Sequence, residues 1–216
     1  MKENKPNDQK LNVNWEFAKL ASDEQIERAA KALEANGIKT LIAKHGEEAE
    51  KMLFDLLPDG AEVFTASSQT LEQLGIPAEL EKSEQYELVR DKLKKMDEKT
   101  QNREMVEMGA TPEYIIGSVH AVTEDGQVMI ASNTGSQLAP YAASAAHVIW
   151  VVGAQKIVQD LEEGTRRIEE YSYPREDERL KQAKGIPSNI RKVLIVNKEI
   201  QPGRVTMIIV KEELGY

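Results

Sequence analysis

The chain has 216 residues, enough for one domain with a sizeable core, and no cysteine. That excludes a disulfide framework, thiolate metal sites, a cysteine nucleophile and a self-ligated iron–sulfur cluster. Lys and Arg number 28 against 37 Asp and Glu; the resulting net charge of −9 disfavours a non-specific grip on nucleic acid or anionic lipid.

Residues 1–14 are polar, carry no apolar h-region and read as a disordered tail rather than a signal peptide, leaving 15–216 as a single domain. Ser22 with Gln25 reads as a capping box. Ile26, Ala29, Ala30 and Leu33 then give one apolar stripe, and Gly37 stops the helix. A β-branched run from Ile38 to Ala43, a helix opened by Gly46, the turn Pro58-Asp59-Gly60 and a strand from Ala61 to Ala66 together read as a βαβ unit, which implies parallel pairing. Ser67 and Ser68 precede a short helix with Leu71 and Leu74. The stripe Tyr86, Val89, Leu93, Met96 predicts a long charged helix from Ser83 to Lys99, followed by a helical turn near Met105. Tyr114 to Val122 reads as one extended segment forming a hairpin with Gln127 to Ser132 around Thr123-Glu124-Asp125-Gly126. Gln137 to Ala146 reads as a small-residue helix, His147 to Val152 as the central strand, and Lys156 to Tyr171 as a helix with Ile157, Leu161 and Ile168 inward. On that helix Glu162–Arg166 and Glu163–Arg167 are predicted i,i+4 pairs. Lys192 to Asn197 and Arg204 to Val210 are the last two strands. Alternating strands and amphipathic helices predict a three-layer α/β/α fold with a mostly parallel, partly mixed central sheet. The most apolar run, Val148 to Val152, is far too short to span a bilayer, so the chain reads as soluble and cytoplasmic.

His45, His120 and His147 lack ligand spacing, so no metal site is expected. Neither a G-x-G-x-x-G nor a Walker A motif is present. Two weaker anion sites stand past strand ends, where ligands sit in open α/β sheets: Ser67-Ser68, and Asn133-Thr134-Gly135-Ser136. Helix capping is the alternative reading of both. Glu124, in a glycine-containing turn, reads either as a nucleophile or general base or as an exposed turn acid. Lys156, in the loop after the central strand, reads as an anion partner or a solvated lysine. Arg166 and Arg167 read as surface or helix-packing residues.

Residues Gly117–Tyr171, read together, resemble the LUD-domain family of lactate-utilisation proteins, of the LutC-like type. The resemblance is carried by Val151 to Val158, Asp160 to Glu163 and Arg166 to Ile168, with support from the Ala121–Gly126 turn and from Gly203–Thr206 and Leu214–Tyr216. It covers most of the chain from about Phe17 onward. It implies an α/β fold similar to the NagB/RpiA/CoA-transferase superfamily and a role in oxidation of L-lactate to pyruvate beside iron–sulfur partner proteins. No cofactor is evident; the superfamily brings CoA or a phosphorylated ligand into consideration, and its acyl-CoA transferases use a glutamate in a comparable turn, where Glu124 stands here. Three readings follow. The chain is an accessory protein binding a small anionic ligand, a CoA- or phosphosugar-handling enzyme using Glu124, or a structural subunit docking an iron–sulfur partner, with a second copy of itself among the candidate partners.

Overall fold

The computed structural model describes residues 12–216; the expected tail over 1–14 lies outside them except for its last three residues. Helix α1 (Asp23–Ala35) starts on the predicted capping box: Ser22 Oγ accepts from Gln25 N–H, and Gln25 Oε1 accepts from Ser22 N–H. Ile26, Ala29 and Leu33 are buried along its stripe. Gly37 ends the turn with φ of 84°, and a Cβ there would stand 2.1 Å from the Glu199 carbonyl oxygen, so only glycine fits.

Six parallel strands form the main sheet in the order β1 (Lys39–Ala43), β10 (Val205–Val210), β7 (His147–Gly153), β4 (Tyr114–Gly117), β2 (Glu62–Thr65), β3 (Glu87–Leu88). The βαβ reading of residues 38–66 holds in direction, but three strands intervene between β1 and β2. His147–Gly153 is central, as its apolar run predicts. Alternation sorts its side chains. Val148, Trp150 and Val152 face one core with Val205, Met207 and Ile209, while Ile149 and Val151 face the other with Ile208 and Val210. The second core is closed by α2 (Gly46–Asp55), α3 (Gln69–Gln73) and α4 (Ile76–Lys82). The first is closed by α1 and by the inner face of a smaller sheet.

That smaller sheet has the order β8 (Ile157–Val158), β5 (Ala121–Thr123), β6 (Val128–Ser132), β9 (Lys192–Val196). It holds the antiparallel pairing expected of a mixed central sheet, so the main sheet itself is purely parallel. Helix α7 (Leu161–Arg167) covers its outer face through Ile168 and Leu161. The fold is α/β with a parallel central sheet between covering layers.

Four local expectations need correction. Residues 83–99 are not one helix: Glu87 and Leu88 pair with β2, and only Val89–Lys94 (α5) is helical. Tyr114–Val122 is two strands, because the chain leaves the main sheet after Gly117 and enters the small one at Ala121. The helix expected from Lys156 starts only at Leu161, since Ile157 and Val158 pair with Val122 and Thr123. The pairs Glu162–Arg166 and Glu163–Arg167 give way to Arg166–Glu170 at 3.1 Å and to a buried Arg167. Helix α6 (Asn102–Ala110) precedes β4, the 137–146 segment centres on a π-helical turn at Pro140–Ser144, and α8 (Tyr173–Lys184) follows α7. No helix among the described residues is long and apolar enough to cross a membrane.

Candidate functional site

Strand addition runs outward from β2 to β3, then reverses from β4 through β7 to β10. A cleft of about 470 Å³ opens at the carboxyl ends of β2 and β4, at this reversal. Such switch points are where open α/β sheets hold ligands. The loops after β2 (66–70) and β4 (118–120) form its base. Residues 132–137, beyond β6, form one wall, and α8 with residues 186–190 the other.

Of the residues singled out in the sequence, Ser67, Ser68, Asn133, Thr134, Ser136 and Lys156 all line this cleft. Gly135 sits within the same loop at φ of 92° and donates its N–H to Ser132 Oγ at 2.8 Å. The capping alternative is also present: Ser68 Oγ accepts from Leu71 N–H at the start of α3. Asn133 Oδ1 is buried without a hydrogen-bond donor among the described residues.

Glu124 is not there. It stands at the turn of the β5–β6 hairpin, whereas Asn133 follows the other end of β6. Five steps along the extended chain from Val128 to Asn133 span about 17 Å at 3.4 Å each. The hydrogen bonds from Arg28 (2.7 Å) and Gln25 (2.9 Å) on α1 hold the Glu124 carboxyl below the usual carboxylate range. Asn36 reaches the Asp125 carbonyl at 2.9 Å, and a Cβ on Gly126 would lie 2.6 Å from the Ala32 backbone. This turn clamps the hairpin to α1. The structure therefore does not bring Glu124 together with residues 133–136: a hairpin puts its turn and its strand ends at opposite extremes.

Lys156 is the group around which the cleft is built. The short 3₁₀ turn after β7 carries it into the base, where it is 2% exposed. Its Nζ lies 2.9 Å from Thr70 Oγ1 and 3.1 Å from Ser118 Oγ, and it has no carboxylate partner among the described residues. Burial, followed by the charges of Arg167 and Arg175, pushes its pKa well below the ordinary lysine value. Arg167 is fully buried. It donates to the carbonyls of Gln155 (3.2 Å) and His120 (2.5 Å) and to Ser172 Oγ (3.1 Å), while one terminal nitrogen has no hydrogen-bond partner among the described residues. Burial brings Arg167 down to about 9, so it remains a cation at neutral pH. His120 accepts the Ala131 N–H on Nδ1 at 3.1 Å; burial, then Lys156 and Arg167, pushes it down to about 3 and keeps it neutral.

Towards the mouth, Arg90 spans the Thr65 carbonyl and hydroxyl (2.8 and 2.9 Å) and Ser67 Oγ (3.3 Å), over the Phe64 ring. All of these partners are neutral. Arg179, by contrast, is bidentate to Glu176 at 2.7 and 2.8 Å, and Tyr216 also bonds that carboxylate. The cleft thus holds four basic side chains (Arg90, Lys156, Arg179, Lys184) against two acidic ones (Glu72, Glu176), in a chain of net charge −9. Among the described residues no three His, Asp or Glu side chains converge on a metal position.

Thr70, Arg90 and Ser118 belong to this site beyond the residues singled out in the sequence, and His120, read there only for metal ligation, also lines it. A glycine inside an apparent strand, Gly117, is the one local signal that the chain breaks at Ser118. Nothing local marks Arg90, which sits in what reads as a charged helix.

Fold and cleft define an α/β protein with a ligand-type pocket at the carboxyl edge of a parallel sheet. The family model described as LUD domain matches residues 26–210, and the chain belongs to that family. A solved structure described as a DUF162 family protein from Deinococcus radiodurans is similar in fold, with a TM-score of 0.52 at 11% identity, covering 89% of this chain and 99% of that one. No curated protein matches the sequence.

Proposed function

We propose that the cleft binds a small anionic metabolite and that the protein is a cytoplasmic component of lactate utilisation working beside iron–sulfur partners. The LUD-domain family is associated in general with lactate utilisation, and the lack of cysteine fits a subunit that carries no cluster of its own. One observation carries the binding reading. Arg90 at the cleft and Arg167 just behind it each have only neutral hydrogen-bonding partners among the described residues. An incoming carboxylate or phosphate would supply the counter-charge. In this reading Arg90 takes the anion directly with the hydroxyls of Ser67 and Ser68 and of the Asn133–Ser136 loop. A ligand hydroxyl would satisfy Asn133 Oδ1, which favours a hydroxy acid or a sugar phosphate over a bare anion. The hydroxyl-rich loops suit a phosphoryl group equally, so CoA and phosphosugars belong in the same test.

Titration calorimetry with L-lactate, pyruvate, ribose 5-phosphate and CoA tests the reading. At least one should bind, and Arg90→Met should weaken it roughly 10- to 100-fold, the worth of a hydrogen bond to a charged group. Absence of heat and of any thermal-midpoint shift with all four probes would refute it.

A further inference from the structure

From the contact between the Ser118 hydroxyl and the Lys156 amine at the base of the cleft, we propose that the protein is a serine acyl-transfer hydrolase, with Ser118 as nucleophile and Lys156 as its general base. Three features of the geometry converge. First, the partners are placed for proton transfer: Lys156 Nζ is 3.1 Å from Ser118 Oγ, within the reach that a nucleophile–base pair requires. Second, exposure divides between them. Ser118, on the loop after β4, is partly exposed and lines the cleft, while Lys156 is buried behind it. Third, Thr70 orients the amine. Its Oγ1 accepts from Lys156 Nζ at 2.9 Å, and its hydroxyl faces both the Leu214 carbonyl at 3.1 Å and Ser118 Oγ at 3.3 Å. Lys156 Nζ lies against Ser118 Oγ, so once the amine has given up its proton its lone pair is in reach of the Ser118 hydroxyl proton. The charged and titratable groups facing the amine are His120 from the β4–β5 loop, Arg167 from α7 and Arg175 from α8, the last near Glu213 at 3.6 Å. The cations favour loss of the lysine proton, and burial acts in the same direction.

The chemistry balances without a metal or redox partner. Ser118 Oγ bonds to the carbonyl carbon of an ester or thioester while its proton passes to Lys156 Nζ. The bond to the leaving group breaks, and that group departs with the proton from Lys156. Water, deprotonated by the same amine, then attacks the acyl-serine and releases the carboxylic acid and free Ser118. That the substrate carries an anionic group near Arg90 rests on the anion-binding reading above; the serine–lysine pair does not.

The test uses a neutral serine-directed fluorophosphonate, so failure of anion binding cannot mask the result. The full-length chain should be labelled at Ser118, identified by peptide mass spectrometry, and Ser118→Ala should abolish the label. Lys156→Arg, which keeps a cation but has no accessible lone pair at neutral pH, should slow labelling more than 100-fold. In the wild type the rate should rise with pH as one base loses its proton and then level off. Ser118→Cys should still be alkylated by iodoacetamide, which reports an intact and reachable cleft. No label at Ser118 up to pH 9.5 while Ser118→Cys is alkylated would overturn the proposal. So would Lys156→Arg labelling at the wild-type rate. Loss of anion binding in Arg90→Met with retained labelling would separate the two readings.

Discussion

His120 gives the sharpest quantitative consequence of the cleft's electrostatics. In the folded chain its Nδ1 accepts the Ala131 N–H, and burial beside Lys156 and Arg167 keeps it neutral down to about pH 3, against 6.5 for an ordinary histidine. Between those values the unfolded chain takes up a proton that the folded chain refuses. Stability contributed by neutral His120 is therefore full above pH 6.5 and lost as the pH falls towards 3. The slope is about 1.36 kcal/mol per pH unit, so the loss reaches roughly 3 kcal/mol at pH 4 and roughly 5 kcal/mol at pH 3. Against a typical total of about 5–15 kcal/mol this is a large fraction. His120→Asn removes the titration while keeping an oxygen that can accept from Ala131. Urea unfolding of both proteins at pH 7 and pH 4 isolates the effect, because the lowered carboxyls of Glu87, Glu124 and Glu170 act in both and cancel on subtraction. The variant should be less stable at pH 7 by about 1–2 kcal/mol from lost packing, and should regain roughly 3 kcal/mol relative to wild type at pH 4. A stability difference unchanged between the two pH values, or an imidazole resonance titrating near 6.5, would refute the argument.

Other substitutions test the frame around the cleft. Arg204 is 4% exposed and binds Glu199 at 2.6 Å together with the carbonyls of Ala145, Pro140 and Tyr141, so Arg204→Met should cost about 3–5 kcal/mol in denaturant unfolding, the usual penalty for breaking a buried pair. Gly126→Ala should cost at least about 2 kcal/mol, because alanine at φ of 77° is strained and its Cβ would meet the α1 backbone. Glu124→Gln should lower stability by no more than about 1 kcal/mol, since Arg28 is half exposed, and should leave ligand affinity measured by calorimetry unchanged. A large loss of affinity there would restore Glu124 to the site.

The parts of the fold legible in the sequence are those whose information is local. Ser22 and Gln25 complete one another within a single turn, and the run from His147 to Val152 needs no partner to declare itself a doubly buried strand. Misreadings arise where a distant partner decides. Tyr86, Val89, Leu93 and Met96 satisfy a helical period, yet Glu87 and Leu88 are drawn into the sheet by β2, about 25 residues earlier. Ile157 has the spacing of a helix with Leu161, but pairs instead with Val122. The candidate site divides in the same way. Hydroxyl loops at strand ends are visible in sequence because strand ends are. The companions of Lys156 are not, since Thr70 and Ser118 lie 86 and 38 positions away and meet it only after the parallel sheet has assembled.

Leaving Arg90, Lys156 and Arg167 without acidic hydrogen-bond partners among the described residues runs against the composition of the chain. With 37 carboxylates available, the surface pairs lysines and arginines freely, as in Lys92 with Glu62 and Glu87 or Arg179 with Glu176. Among the described residues, Lys156 and Arg167, the two most buried basic side chains of the site, hydrogen-bond only to hydroxyls and carbonyls. A carboxylate beside Lys156 would restore its charge and remove the destabilisation of burying an amine among arginines. It would also fill the position of an incoming anion and tie up the lone pair that faces Ser118. Thr70 and Ser118 satisfy the amine in either protonation state, because a hydroxyl both donates and accepts, so they hold the side chain in place without fixing its charge. A neutral-partnered amine at the bottom of a polar cleft is therefore the arrangement that keeps both an electrostatic vacancy for a ligand and a usable base.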